Sequence, residues 1–448
     1  MDTLFYCNGF GSEVFASSTI SHFPKDFGVE LKAMKRLFST LFVLLFFIFP
    51  LAAQKPVRDL KPTVILIALD GFRYDYLEKY QPPVLNKLAR EGVRAKWLIP
   101  SFPTKTFPNH YTVATGLYPA NHGLVENNIY DFGAVFGLGK REEVQNPRWW
   151  GGEPIWVTAK KQGQIAASYF FPGTETAIQG VTPDVFRVYN GKVPNEMRVD
   201  KVLSWLDFPA EKRPTMITLY FSDVDDAGHE FSPDAEETRY AVLNVDRYLA
   251  RLYEGLKQRE IADEVNLILF SDHGMAPVNL RNTTFLDDYF DLKLAEQILW
   301  TGEIVQIFPK TGNEGKIFAA VKNLQHTTCW RKSEIPARLN YGHGKRVAPI
   351  VCSSHEGWIT TNRKRHADWL KDLDNLERPR GAHGYDNNLE SMRATFIAHG
   401  AAFKQKTVVE PFSNVNIYHI MTEILNLKPA PNDGNFDTAK AVLKNFRN

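Results

Sequence analysis

The sequence predicts an α/β fold: a mostly parallel central sheet flanked by helices, with a smaller inserted cap. Three observations carry this expectation. The runs Thr63–Leu69, Met216–Phe221 and Val265–Phe270 are apolar and β-rich without alternation, as strands buried on both faces are. Helical patterns fall between them, the order that builds parallel pairs. From Asn279 to Arg380 the pattern breaks into shorter mixed elements, which read as the insert.

The elements follow in order. Thr63–Leu69 runs into Asp70-Gly71, an acid at a strand's carboxyl end. Val84 to Glu91 reads as a short helix stopped by Gly92. Phe102-Pro103-Thr104-Lys105-Thr106-Phe107-Pro108 reads as a loop entering a helix that ends at Gly116. That places the Thr106 hydroxyl at a helix N-terminus, where free N–H groups and the dipole favour anions such as phosphate. The plain alternative is an N-cap. Gly116 to Asp131 is loop-rich, and Trp149, Trp150 and Trp156 read as packing residues of an irregular region. Met216–Phe221 leads into Asp223, Asp225, Asp226 and His229. A helix then spans Ala235 to Lys257, with Val242, Val245, Leu249, Leu252 and Leu256 facing the sheet. Val265–Phe270 ends in Asp272-His273-Gly274. Beyond the insert come Gly381-Ala382-His383-Gly384, a strand at Ala394–Ala398 and a final helix near Asn414 to Leu425.

Composition narrows the partners. The 448 residues are 44% hydrophobic and 23% charged, ordinary globular values, with a net charge of +2. No strong positive field exists for a nucleic-acid groove, although small nucleotides remain open. No repeat or low-complexity tract is evident.

Met34-Lys35-Arg36, the apolar run Leu41–Phe49 and the small residues before Gln54 form a secretory signal over 34–53. Broken by Pro50, the run is too short for a stable membrane span. Residues 1–33 then read as an over-called start, and the exported chain as 54–448, periplasmic or secreted. Cys7 falls in the discarded piece. Cys329 and Cys352 remain, and an oxidising destination predicts that they pair.

Asp70, Asp225 with His229, Asp272 with His273, and His383 are ligand types clustered beside Gly at predicted strand ends. One such Asp is usually a turn residue. Together, carboxylates and imidazoles suit Zn²⁺ or a similar ion. Six such side chains and a threonine oxygen suffice for two cations, the arrangement that clamps both oxygens of an in-line displacement at phosphorus.

These motifs carry a resemblance. Leu69-Asp70-Gly71-Phe72, Pro103 to Tyr111, Gly116-Leu117-Tyr118-Pro119, Asp225 to His229, Ser271 to Met275 and Gly381 to Gly384, in that order, resemble the nucleotide pyrophosphatase/phosphodiesterase family of the alkaline phosphatase superfamily. The likeness runs from about Thr63 to Phe412. It implies an alkaline phosphatase-like catalytic domain over 54–448, with 279–380 as insert, and two Zn²⁺ per chain. One would be held by Asp225, His229 and His383. The other would be held by Asp70, Asp272, His273 and Thr106. It implies Thr106 as nucleophile and Asn127 as donor to a non-bridging phosphoryl oxygen, assisted by the Phe107 backbone N–H. Phe107, Tyr189 and Phe171 would form an aromatic slot for a nucleobase, though Phe171 stands where the family often has tryptophan. His110 and His122 are expected near the site as supporting or structural residues.

The activity so implied is hydrolysis of nucleotide diesters and pyrophosphates to nucleoside monophosphates through a phospho-threonine. Choline-headgroup diester cleavage and threonine-dependent monoester cleavage are the alternatives on the same fold. The first wants a cation cage. The second wants extra cationic groups, for which Lys105 is the candidate. A non-catalytic binding protein on this fold would have lost a ligand or the nucleophile, and all seven positions are filled.

Overall fold

The computed structural model describes residues 56–371 and 378–446. The expected signal, the over-called start and Cys7 lie outside these residues. Among the described residues no helix is long and apolar enough to cross a membrane.

Eight strands form the main sheet: β1 Val64–Leu69, β2 Val93–Ala95, β3 Ala166–Tyr169, β4 Val185–Arg187, β5 Met216–Phe221, β6 Asn266–Phe270, β7 Phe396–His399 and β8 Thr407–Val409. Their spatial order is β8-β2-β7-β6-β1-β5-β3-β4. All pairings are parallel except those of β7, which runs against β6 and β2. β1 lies between β5 and β6 with Leu69 opposite Phe221 and Ala68 opposite Phe270, so three strands end side by side.

Alternation along β1 splits the core. Val64, Leu66 and Ala68 face one layer. Ile65, Ile67 and Leu69 face the other. The first layer holds α2 (Thr106–Thr115), α6 (Ile417–Leu425) and the buried Trp149, Trp150 and Trp156. The second holds α1 (Pro83–Glu91), α3 (Asn195–Leu206) and α5 (Glu236–Gln258), whose five predicted apolar positions are all at most 2% exposed.

Two elements differ from expectation. Asp223–Phe231, the acid-rich stretch after β5 for which no helix is predicted, forms a helix, α4. Asp223, Asp225 and Asp226 sit in its first turn, where acids favour the N-terminus. The expected final helix is preceded by a 3₁₀ turn at Asn414–Asn416, and a further helix follows at Asp437–Val442.

Between 279 and 380 the chain builds a separate antiparallel sheet in the order Ala295–Trp300, Ile304–Pro309, Ile350–Ser354, Thr327–Arg331. Its core includes Val305, Ile307, Ile317, Val321 and Ile350. Cys329 and Cys352 face each other across the last pair and form a disulfide. Ala276–Val278 pairs antiparallel with Arg380–Ala382 where this passage leaves and rejoins the main body.

Candidate metal centre

Parallel strands deliver the acids. Asp70 follows β1, and its N–H donates to Phe221 O at the end of β5. Asp272 lies two residues beyond β6, and its Oδ1 accepts the Gly71 N–H at 3.2 Å. Gly71 has φ +66°, and a Cβ there would stand 2.8 Å from Asp225 Cα. The backbone of β1 and the first turn of α4 are therefore in contact, which brings Asp225 beside Asp70. One turn along α4, His229 shares the face of Asp225. Thr106 is the first residue of α2; its N-cap is Lys105, so Thr106 is not itself the cap.

Three imidazoles are oriented alike. His229 Nδ1 donates to Gly381 O at 2.9 Å, His273 Nδ1 to Gly274 O at 2.9 Å and His383 Nδ1 to Thr104 O at 2.7 Å. A carbonyl only accepts, so each ring carries its proton on Nδ1 and presents a bare Nε2 to the centre. Those nitrogens meet carboxylates. His273 Nε2 is 3.0 Å from Asp272 Oδ2 and 3.4 Å from Asp70 Oδ1. His229 Nε2 and His383 Nε2 are 3.5 and 3.6 Å from Asp225 Oδ1. Asp70 Oδ1, Asp225 Oδ1 and Asp272 Oδ2 are buried and accept no hydrogen bond. Lone pairs thus face lone pairs, an arrangement that a divalent cation resolves. Thr106 Oγ1 is 3.4 Å from His273 Nε2.

The electrostatics agree. Burial raises Asp70 well above the usual carboxyl range, and the charges of Asp272 and Asp225 add to it. Asp272 and His273 act on each other: against the burial of both, a positive charge on the ring holds the carboxyl well below that range and the carboxylate raises the ring in return, the same pull that a cation between them exerts. His383 is pushed well down by burial and by His273, whose ring stacks on it at 3.5 Å.

Donors from Asp70, Asp272 and His273 lie within 4.8 Å of one another, as do those from Asp225, His273 and His383, so His273 stands between two sets. Carboxylates and imidazoles so placed suit a divalent cation with mixed nitrogen and oxygen ligands; His229, expected beside Asp225 and His383, lies outside both sets, and His273 takes its place in theirs.

The remaining expected residues divide. Asn127 Oδ1 accepts the Phe107 N–H at 3.0 Å. That N–H is therefore engaged with the Asn127 side chain, whose NH₂ is left to donate. Phe107 packs against Phe136 and Trp150. Tyr189 is 40% exposed, with its ring against Phe170 and Tyr220. Phe171 is in the core, 5% exposed, against His110, Trp156 and Phe270, rather than at the mouth. The chain bends already at Phe170, where φ is +61°, between the end of β3 and Phe171. His110 is buried, donates through Nδ1 to Thr106 O at 2.9 Å and lies 3.2 Å from Asp272 Oδ2. Tyr220 was not singled out by its sequence. It donates to Asp70 Oδ2 at 2.6 Å from within an apolar strand, where only the outward step of the alternation marks it.

Fold and site together define an alkaline phosphatase-like α/β protein with a carboxylate–imidazole centre at the strand ends. Residues 64–386 match the family described as type I phosphodiesterase / nucleotide pyrophosphatase, and the chain belongs to that family. It is 39% identical over 409 residues to a venom phosphodiesterase of Crotalus durissus collilineatus, covering 88% of this chain and 48% of that protein. It is 37% identical over 396 residues to ectonucleotide pyrophosphatase/phosphodiesterase family member 3 of Rattus norvegicus, covering 86% and 44%. The chain thus spans about half the length of these relatives. Among solved structures, inactive murine ectonucleotide pyrophosphatase/phosphodiesterase 5 in complex with AMP has a TM-score of 0.78 at 32% identity, covering 85% of this chain and 99% of that one.

Proposed function

We propose that this chain is an exported, zinc-dependent hydrolase of nucleotide diester and pyrophosphate bonds, releasing nucleoside monophosphates. The observation that carries the reading is the set of bare Nε2 atoms and unpartnered carboxylate oxygens, with the Thr106 hydroxyl 3.4 Å from His273 Nε2 at its edge. Asp225, His229 and His383 would hold one Zn²⁺; Asp70, Asp272, His273 and Thr106 would hold the other. Bound there, the cations supply Lewis acidity for the attacking and leaving oxygens.

The chain's own groups do the rest. Thr106 Oγ attacks phosphorus; the bond to the leaving alcohol or phosphate breaks, the proton of the Thr106 hydroxyl ends on the leaving oxygen, and a phospho-threonine ester remains. Asn127, held by its bond to the Phe107 N–H, donates its NH₂ to a non-bridging oxygen. Water then attacks phosphorus and returns Thr106 to its hydroxyl. Phe107 and Tyr189 offer π faces to a base without reading its edge. The murine relative bound to AMP supports this occupant. Phe171 takes part only as packing beneath the slot.

Lys105 bears on the monoesterase alternative. Its ammonium is buried and lies 2.5 Å from Glu303 Oε2, so it does not serve a terminal phosphoryl group. Rates on a nitrophenyl nucleotide diester, a choline diester and a phosphate monoester decide among the three. The nucleotide diester should be fastest by at least about tenfold. Equal or faster monoester cleavage refutes the diesterase reading, and full turnover in Thr106→Ala refutes the nucleophile.

A further inference from the structure

Lys105 immediately precedes Thr106, and Glu126 immediately precedes Asn127. Both are charged and buried, 6% and 0% exposed. A buried charge is costly unless paired, so its partner carries information. Lys105 Nζ lies 2.5 Å from Glu303 Oε2. Glu126 Oε1 accepts from Thr301 Oγ1 at 3.0 Å, and Oε2 accepts the Asn128 N–H at 2.7 Å.

Both partners belong to one turn, Thr301-Gly302-Glu303, between the strands Ala295–Trp300 and Ile304–Pro309. The turn is itself fixed. Ser354 N–H donates to Glu303 O at 2.8 Å, and Ser354 Oγ donates to Gly302 O at 3.0 Å. The stem of Lys105 crosses Gly384, where φ is +120° and a Cβ would meet Lys105 Cε at 2.4 Å. With the Phe107 N–H bond to Asn127, the contacts close a ring. It runs from Thr106 through Lys105, Glu303, Thr301, Glu126 and Asn127 back to Phe107.

We propose that this turn of the antiparallel sheet is a positioning device. Glu303 acting through Lys105, and Thr301 acting through Glu126, hold the Thr106 hydroxyl and the Asn127 amide at the separation that phosphoryl transfer needs. The proposal rests on the reading that Thr106 attacks phosphorus. Neither Glu303 nor Thr301 touches the reacting atoms; both are positioning residues. An apolar pair of the same volume would hold the core at least as well, so what the ion pair adds is a fixed location. The two segments it aligns, Lys105-Thr106 and Glu126-Asn127, are twenty-one residues apart in sequence, and the third point of reference comes from a different sheet.

The test uses the full chain loaded with zinc and a nitrophenyl nucleotide diester. Glu303→Gln and Lys105→Gln are measured singly and together, with Thr301→Val and Thr106→Ala in the same series. Each of the two Gln singles should lower kcat by about 10- to 100-fold while KM moves less than about threefold. Zinc content should be unchanged, and the double variant should be no worse than the worse single. Thr301→Val should lower kcat by about three- to tenfold with the same constant KM. Full turnover in Thr106→Ala defeats the parent reading. An inactive Thr106→Ala beside a Glu303→Gln within twofold of wild type overturns this proposal alone. Losses that multiply in the double variant, or that fall on KM with kcat intact, overturn it too. Should Glu303→Gln fail to fold, Lys105→Gln and Thr301→Val are held to the same kcat criterion.

Discussion

Tyr220 and His122 show how far single side chains tune this molecule. The Tyr220 hydroxyl donates to Asp70 Oδ2 and so fixes which oxygen faces the centre. Tyr220→Phe should weaken zinc retention by about tenfold, read by competition with a chelator, because such outer contacts orient a ligand. His122 is fully buried, with its ring against Tyr111. Its Nδ1 accepts the Leu124 N–H at 3.2 Å, and burial pushes it down to about 3 from 6.5. The unfolded chain therefore takes up a proton below pH 6.5 that the folded chain refuses until about pH 3. Stability falls as pH drops through that window, by about 1.4 kcal/mol per unit. His122→Gln should make the loss between pH 6.5 and 5.0 smaller by about 2 kcal/mol in urea titrations. At this scale the sequence showed Asp70, Asp225, His229, Asp272, His273 and His383 as ligand types, because Gly beside an acid after an apolar run is visible in one dimension. It hid the partners of the rings. Gly381 O, Gly274 O and Thr104 O are backbone atoms, and any residue type supplies them.

Among elements, α4 and the turn at Gly71 do most to assemble the centre. Gly71→Ala would thrust a methyl against Asp225 Cα in a left-handed backbone, and should cut turnover by at least about 100-fold with loss of zinc. Gly133 is the matched control: its φ is +82° and nothing lies within 4 Å of a Cβ. Gly133→Ala should cost about 1 kcal/mol of stability and keep turnover within a few-fold. The strands and α5 were legible from periodicity. α4 was not, since its nine residues carry four acids and a glycine, a pattern that also reads as a loop. It packs against Gly71, Gly381 and Met275, all distant in sequence and so invisible to a local reading. The disulfide was legible through the compartment argument, while its place across two paired strands was not. Cys329→Ser should lower stability by about 3 kcal/mol on the loop-closure account, and reductant should reproduce the loss in wild type but not in the variant.

The whole molecule is a scaffold whose central strands end level, so three carboxylates approach within one neighbourhood. Their mutual repulsion is a standing cost that cations remove. Chelation should abolish turnover and lower the unfolding temperature, and zinc should restore both. At a hundred times the dissociation constant each cation adds about 2.7 kcal/mol. The α/β class was readable because buried parallel strands leave unbroken apolar runs. The antiparallel sense of β7 and the architecture between 279 and 380 were not, since short strands in a small sheet carry weak periodicity.

The carbonyl tethers on the three imidazoles have a further consequence. Rings pinned at their far nitrogen cannot swing outward to follow a larger guest. Calcium, which asks for six to eight oxygens at a longer reach, should fit a rigid collar containing nitrogen poorly and fail to restore turnover after chelation. A collar cast when the chain folds would make that choice before any ion arrives.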